Sequence, residues 1–60
     1  MPSDETRRVL KVFGVAVTSL EDAIDRKAPF EETMKWDHEV AERTREMLAL
    51  LERLRSRRIA

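Results

Sequence analysis

The stretch DRKAPFEE, residues 25–32, decides the fold. Pro29 disfavours helical backbone at Ala28 and is well placed as the first residue of a new helix. Glu31 and Glu32 then fall in that helix's first turn, where negative charge suits the exposed amides. If the chain is helical on both sides, so short a break folds it back on itself as a hairpin.

Upstream, Ser3 is a candidate N-cap with Asp4 and Glu5 just inside it. At about 100° per residue, Val9, Leu10, Val12, Phe13, Ala16, Val17, Leu20, Ala23 and Ile24 share an arc roughly 160° wide. Arg7, Lys11, Gly14, Thr18, Glu21, Asp22 and Asp25 lie opposite, and only Val15 is misplaced. Downstream, Met34, Trp36, Val40, Ala41, Met47, Leu48, Leu50, Leu51 and Leu54 span roughly 200° by the same arithmetic. The arginines Arg53, Arg55, Arg57 and Arg58 sit at the far end, where cations complement a helix C-terminus. These signals predict one domain over residues 1–60: a first helix over about 4–27, a turn at about 28–29 and a second helix over about 30–57. The fold class is all-α, an antiparallel two-helix hairpin.

A competing reading makes Val9–Val17 a strand, because Val, Phe, Gly and Thr are poor helix formers. Thr18 with Glu21, or Ser19 with Asp22, would then cap a helix starting there. A strand followed by two helices would suggest a ribbon-helix-helix DNA-binding dimer. The alternation is poor, however: Arg8, Leu10 and Val12 on one face and Arg7, Val9, Lys11 and Phe13 on the other mix basic with apolar residues. The helical arc fits better.

Sixty residues bury only about 60% of the surface the unfolded chain exposes, so such a core is marginal without a staple. There is no cysteine, which excludes disulfides and thiolate zinc sites, and a single histidine excludes a His-rich metal site. Oligomerisation remains. A two-helix hairpin needs a narrow seam on each helix, whereas these arcs are the broad faces of bundle helices. An isolated hairpin would leave Trp36, Leu50 or Leu54 in water. Two hairpins dimerising into a four-helix bundle is the simplest closure. The expected interface comprises Leu10, Phe13, Val17, Leu20, Ile24, Met34, Trp36, Val40, Met47, Leu50, Leu51 and Leu54. The partner is a second copy, giving a homodimer or a higher species, or else a helical partner protein.

Hydrophobic residues at 42% beside charged residues at 40% exclude collagen-like and membrane-spanning classes and argue against simple disorder. The longest uncharged run, Val12 to Leu20, is far too short to cross a bilayer. Asp4 and Glu5 stand where a signal peptide would be basic, so the expectation is a cytoplasmic protein with no membrane partner. Net charge is zero but unevenly spread. Residues 1–20 balance at +1, residues 21–42 at −5 with eight acids against three bases, and residues 43–60 at +4 with six arginines against Glu46 and Glu52. In an antiparallel hairpin, Arg7 and Arg8 lie beside the C-terminal arginines, so one end is basic and the turn is acidic.

No Gly-rich phosphate loop, nucleophile elbow, triad or carboxylate pair is present, and no enzyme or cofactor is expected. Asp37 projects near the middle of the second helix's apolar arc, where a carboxylate is costly unless paired; near a helix start it can also reach solvent. Glu21, Asp37, His38 and Glu42 form a candidate oxygen-and-nitrogen ligand set. Ferritin-like sites, though, use a Glu three residues before the His, and here that residue is Lys35. Arg7, Arg8, Arg53, Arg55, Arg57 and Arg58 are candidate phosphate contacts for nucleic acid. The plainer reading is a solvated terminus, since no aromatic is interleaved for base stacking. Trp36, Met34 and Met47 read as core or interface filler. Gly14 and Thr18, four apart, would permit close helix approach or mean nothing.

The expected function is a small non-catalytic interaction module: an adaptor, assembly factor or accessory subunit. An antiparallel dimer would set each acidic turn against the partner's basic end. The alternatives are a nucleic-acid-binding regulator and a small metal-binding bundle. In size and inferred topology the chain resembles the Rop-type RNA-binding hairpin dimers. The likeness is one of architecture, with no shared motif and no residue carried over. Hairpins paired in parallel would gather both basic ends on one side.

Overall fold

Ser3 adopts an extended backbone and its Oγ accepts a hydrogen bond from the Thr6 amide at 3.1 Å. This satisfies one of the free donors at a helix start and launches α1, Asp4–Asp25. The second helix, α2, runs Phe30–Ile59. The computed structural model describes residues 2–59, and the two helices pack against each other as an antiparallel hairpin. Val9–Val17 lies wholly inside α1, so the strand reading is set aside. Its apolar residues recur every three or four positions, which only a helix gathers on one side.

The turn differs in detail from the sequence expectation. The first helix ends at Asp25, two residues early, through a C-terminal motif that no glycine announces. The Ala28 amide donates to the Ala23 carbonyl at 2.9 Å and the Lys27 amide to Ile24 at 3.1 Å. These are the two bonds of a Schellman ending, and they place Lys27 in the left-handed region, at φ 54°. Pro29 stands just before α2 rather than inside it; its carbonyl accepts from Glu32 and Thr33 at 3.0 and 3.2 Å. At the other end α2 continues to Ile59.

Val9, Ala16 and Ala23, seven apart, are the buried residues of α1, and Leu50 is that of α2. The small alanines leave room for α2 to approach, while Val12, Phe13 and Leu20 with Trp36, Val40 and Met47 are half-buried around them. Gly14 plays no part in that approach, since a Cβ there would meet nothing within 4 Å. Thr18 turns its hydroxyl back onto its own helix, donating to the Gly14 carbonyl at 2.9 Å.

The hairpin is a slab of 47 × 19 × 12 Å, its two helices lying side by side in a single layer. Its radius of gyration is 14.2 Å, against about 10 Å for a compact domain of this length. Domains bury their apolar faces between two packed layers. Here there is one.

Candidate interaction face

Heptad spacing on each helix defines both sides of the slab. The contact line follows Val9, Ala16 and Ala23 on α1 and Trp36, Val40, Met47 and Leu50 on α2. One residue further along a helix is a rotation of about 100°. The residues that follow the contact line are Leu10, Val17 and Ile24 on α1, and Asp37, Ala41, Leu48 and Leu51 on α2. The residues that precede it are Arg8, Val15 and Asp22, then Lys35, Glu39, Glu46 and Ala49. Because both helices are right-handed and run in opposite directions, the same step turns both rows to the same side of the hairpin. One side is therefore apolar and the other charged.

The charged side holds the connections between helices. Arg8 donates to Glu46 at 3.4 Å, Arg53 to Glu5 at 2.9 Å, and Arg26 reaches Glu32 across the turn. Arg43 extends the network along α2, to Glu46 at 2.6 Å and Glu39 at 2.9 Å. These bonds hold the Arg43 guanidinium more firmly protonated, through Glu46 first and Glu39 second. Conversely, the Glu46 carboxyl lies below its ordinary range, through Arg43 first and then Arg8. Arg26 is likewise held protonated by Asp22 and Glu32. Two open clefts flank Trp36 on this side, one lined by Thr18, Ser19, Asp22, Arg26 and Glu32, the other by Lys11, Val12, Val15, Glu39 and Arg43.

The apolar side has no such partners. Phe30 is 77% exposed, Ile24 58% and Leu48 57%, and Leu10, Val17, Met34 and Leu51 are exposed as well. Phe13 and Leu20 complete the α1 row at alternating steps of three and four residues. Thr44 joins the α2 row with its hydroxyl donated to the Val40 carbonyl at 2.8 Å, which hides its polar atom. Asp37, exposed, is the one carboxylate within that row.

The structure thus divides the expected interface residues. Trp36, Val40, Met47 and Leu50 belong to the seam between α1 and α2, whereas Leu10, Val17, Ile24, Met34 and Leu51 face outward. Leu54 is exposed beyond the end of the seam. Phe30, and Leu48 of the apolar arc, stand outside the expected interface residues yet are exposed on this same side, where position 48 continues the three-and-four spacing of 34, 41 and 51.

The other candidate sites separate. Among the described residues no group of three or more His, Asp or Glu assembles around a common point. His38 lies 3.8 Å from Glu42 on solvent-exposed side chains, while Asp37 is in the apolar row and Glu21 belongs to the other helix. Of the basic cluster, Arg8, Arg53 and Arg55 are engaged by Glu46, Glu5 and Glu52. Arg7, Arg57 and Arg58 form no ion pair among the described residues. No helix is long and apolar enough to cross a membrane. Comparison with protein-family models, with curated proteins and with solved structures returns no match, so the functional reading rests on this two-sided geometry.

Proposed function

We propose that this chain is a non-catalytic interaction module, an adaptor, assembly factor or accessory subunit, that works as a homodimer closed through its apolar face. The observation behind it is the unpartnered double row of Leu10, Val17, Ile24, Phe30, Met34, Leu48 and Leu51 on a slab one helix thick. Contiguous exposed apolar surface of this kind marks an association site.

Surface area supports the same reading. The chain exposes 4967 Å², whereas a compact monomer of its mass exposes about 4,100 Å². The surplus of roughly 900 Å² matches the ~800 Å² that each partner contributes to a standard stable interface. A second copy presents an identical slab with an identical face, and stacking the two produces the missing second layer. Sedimentation equilibrium or light scattering at micromolar concentration tests this. A dimer is expected; a folded monomer with both rows in water defeats the proposal.

The nucleic-acid reading has narrower support. The end of α2 outruns α1 and carries Arg57 and Arg58 clear of any carboxylate partner among the described residues. Salt-sensitive binding of mixed DNA and RNA would promote it, and no retention at low salt would remove it.

A further inference from the structure

We infer that the two copies pair head to tail, each turn lying over the other's chain ends, with α1 against α1 and α2 against α2. The inference rests on the self-pairing proposed above and fixes its geometry. Two face-to-face arrangements have two-fold symmetry. In one the axis crosses the helices and the turns lie at opposite ends; in the other it runs along them and the turns coincide.

Charge separates the two. The turn end carries Glu21, Asp22, Asp25, Glu31 and Glu32 against Arg26 and Lys27, while the other end carries Arg7, Arg8, Arg53, Arg55, Arg57 and Arg58 against Asp4, Glu5 and Glu52. Turn-on-turn pairing sets acid against acid and base against base. Head-to-tail pairing sets each acidic turn near the partner's arginines, within the ~8–10 Å over which such charges act at moderate salt.

Register leans the same way, by one layer. The ion pairs 5/53, 8/46 and 26/32 put position 15 of α1 level with about position 42 of α2. An axis crossing at that level sets Leu10 against the partner's Leu20, Phe13 against the partner's Val17, and Met34 against the partner's Leu51. The α1 row is apolar from Leu10 to Leu20 and meets only itself at those layers, while Ile24 falls level with the partner's Thr6 and Leu48 with the partner's Asp37. The other axis repeats the register of the hairpin between copies. It sets Leu20 against the partner's Asp37, much as the first axis sets Leu48, but it also sets Phe13 against the partner's Thr44, where the first axis sets the smaller Ala41.

The chain has no cysteine, so Lys27→Cys gives a single labelling point at the turn, away from both rows. Position 27 lies twelve residues from the axis in head-to-tail pairing, which at 1.5 Å per residue separates two spin labels by about 36 Å. Turn-on-turn pairing brings them within about 15 Å, one helix layer apart. On the unsubstituted chain, raising salt from about 0.05 to about 0.5 M weakens a head-to-tail dimer and strengthens a turn-on-turn one. A long label distance with salt-weakened dimerisation is the expected result. A dimer with a short distance, or one tightened by salt, overturns the head-to-tail geometry and leaves self-pairing standing. A monomer overturns both.

Discussion

Val15 and Val17 are the same residue type, two positions apart on α1, and both are substantially exposed, at 52% and 39%. They lie on opposite sides of the contact line. Val15 precedes Ala16 on the ion-paired side, and Val17 follows it on the apolar side. A glutamate at each position therefore puts identical chemistry on the two faces. Burying a whole valine is worth about 1.5–3 kcal/mol, so the exposed part of Val17 represents roughly 1 kcal/mol per copy. A carboxylate forced into the interface adds about 1–3 kcal/mol of desolvation per copy. Both copies change together, so Val17→Glu weakens the dimer by about 4 kcal/mol or more, on the order of a thousandfold in Kd. Val15→Glu places its charge near Lys11 on a surface already lined with ions and leaves the Kd within about threefold. Sedimentation equilibrium of the two variants over a common concentration range reads the difference directly. Equal effects of the two substitutions, or dissociation by Val15→Glu alone, would refute the assignment of faces.

Four further outcomes follow from named residues. Gly14→Ala stabilises the chain by about 0.5–1 kcal/mol, since nothing lies within 4 Å of the added Cβ; thermal melts at fixed concentration should show a rise of a few degrees. Lys27→Gly relieves a left-handed residue at φ 54° and gains about 0.5–1 kcal/mol after the greater chain entropy of glycine is subtracted; a lower melting temperature would count against the Schellman ending. Asp37→Leu removes the carboxylate from the α2 row and tightens self-association about tenfold, by roughly 1–2 kcal/mol; unchanged dimerisation would place Asp37 outside the interface. Glu46 has its carboxyl held low in the folded state by Arg43 and Arg8. Its contribution is thus full above the ordinary glutamate value near 4.5 and is lost as pH falls below that through the depressed value. Denaturation between about pH 7 and 3 should show that acid decline, and Glu46→Gln should flatten part of it.

The hairpin itself was legible because two strong local signals agree. Ser3 followed by acids starts one helix, and Pro29 followed by acids starts the other. Each is backbone chemistry that tertiary context has little reason to override. The end of α1 was not legible for the same kind of reason. A left-handed C-terminal position is normally signalled by Gly or Asn, and Lys27 signals nothing. The division of the apolar arc was the larger gap. Arc width showed a surplus of apolar surface, but Trp36 and Leu50, taken as residues an isolated hairpin would strand in water, lie in the seam. Width cannot say which part of an arc meets the neighbouring helix. That depends on register, and the register is tied by the pairs 8/46 and 5/53, thirty-eight and forty-eight residues apart in sequence, which periodicity does not reveal.

Once the seam is located, the two faces also explain how so thin a structure persists. An unfolded chain of this mass exposes roughly 10,300 Å², so a surface of 4967 Å² means that the lone hairpin buries only about half. A self-standing domain of this size buries about 60%, and in the proposed dimer a second copy supplies the difference. Under that proposal folding and self-association become one equilibrium, with stability that rises with protomer concentration. The ion pairs on the opposite side cannot substitute for that contact. Arg8, Glu46, Arg26 and Glu32 are all at least a third exposed, and ion pairs in that setting are screened by water and salt. They orient α1 on α2; the apolar face, when covered, supplies the stability. Dilution is therefore expected to lower the melting temperature of the whole chain rather than release a folded hairpin.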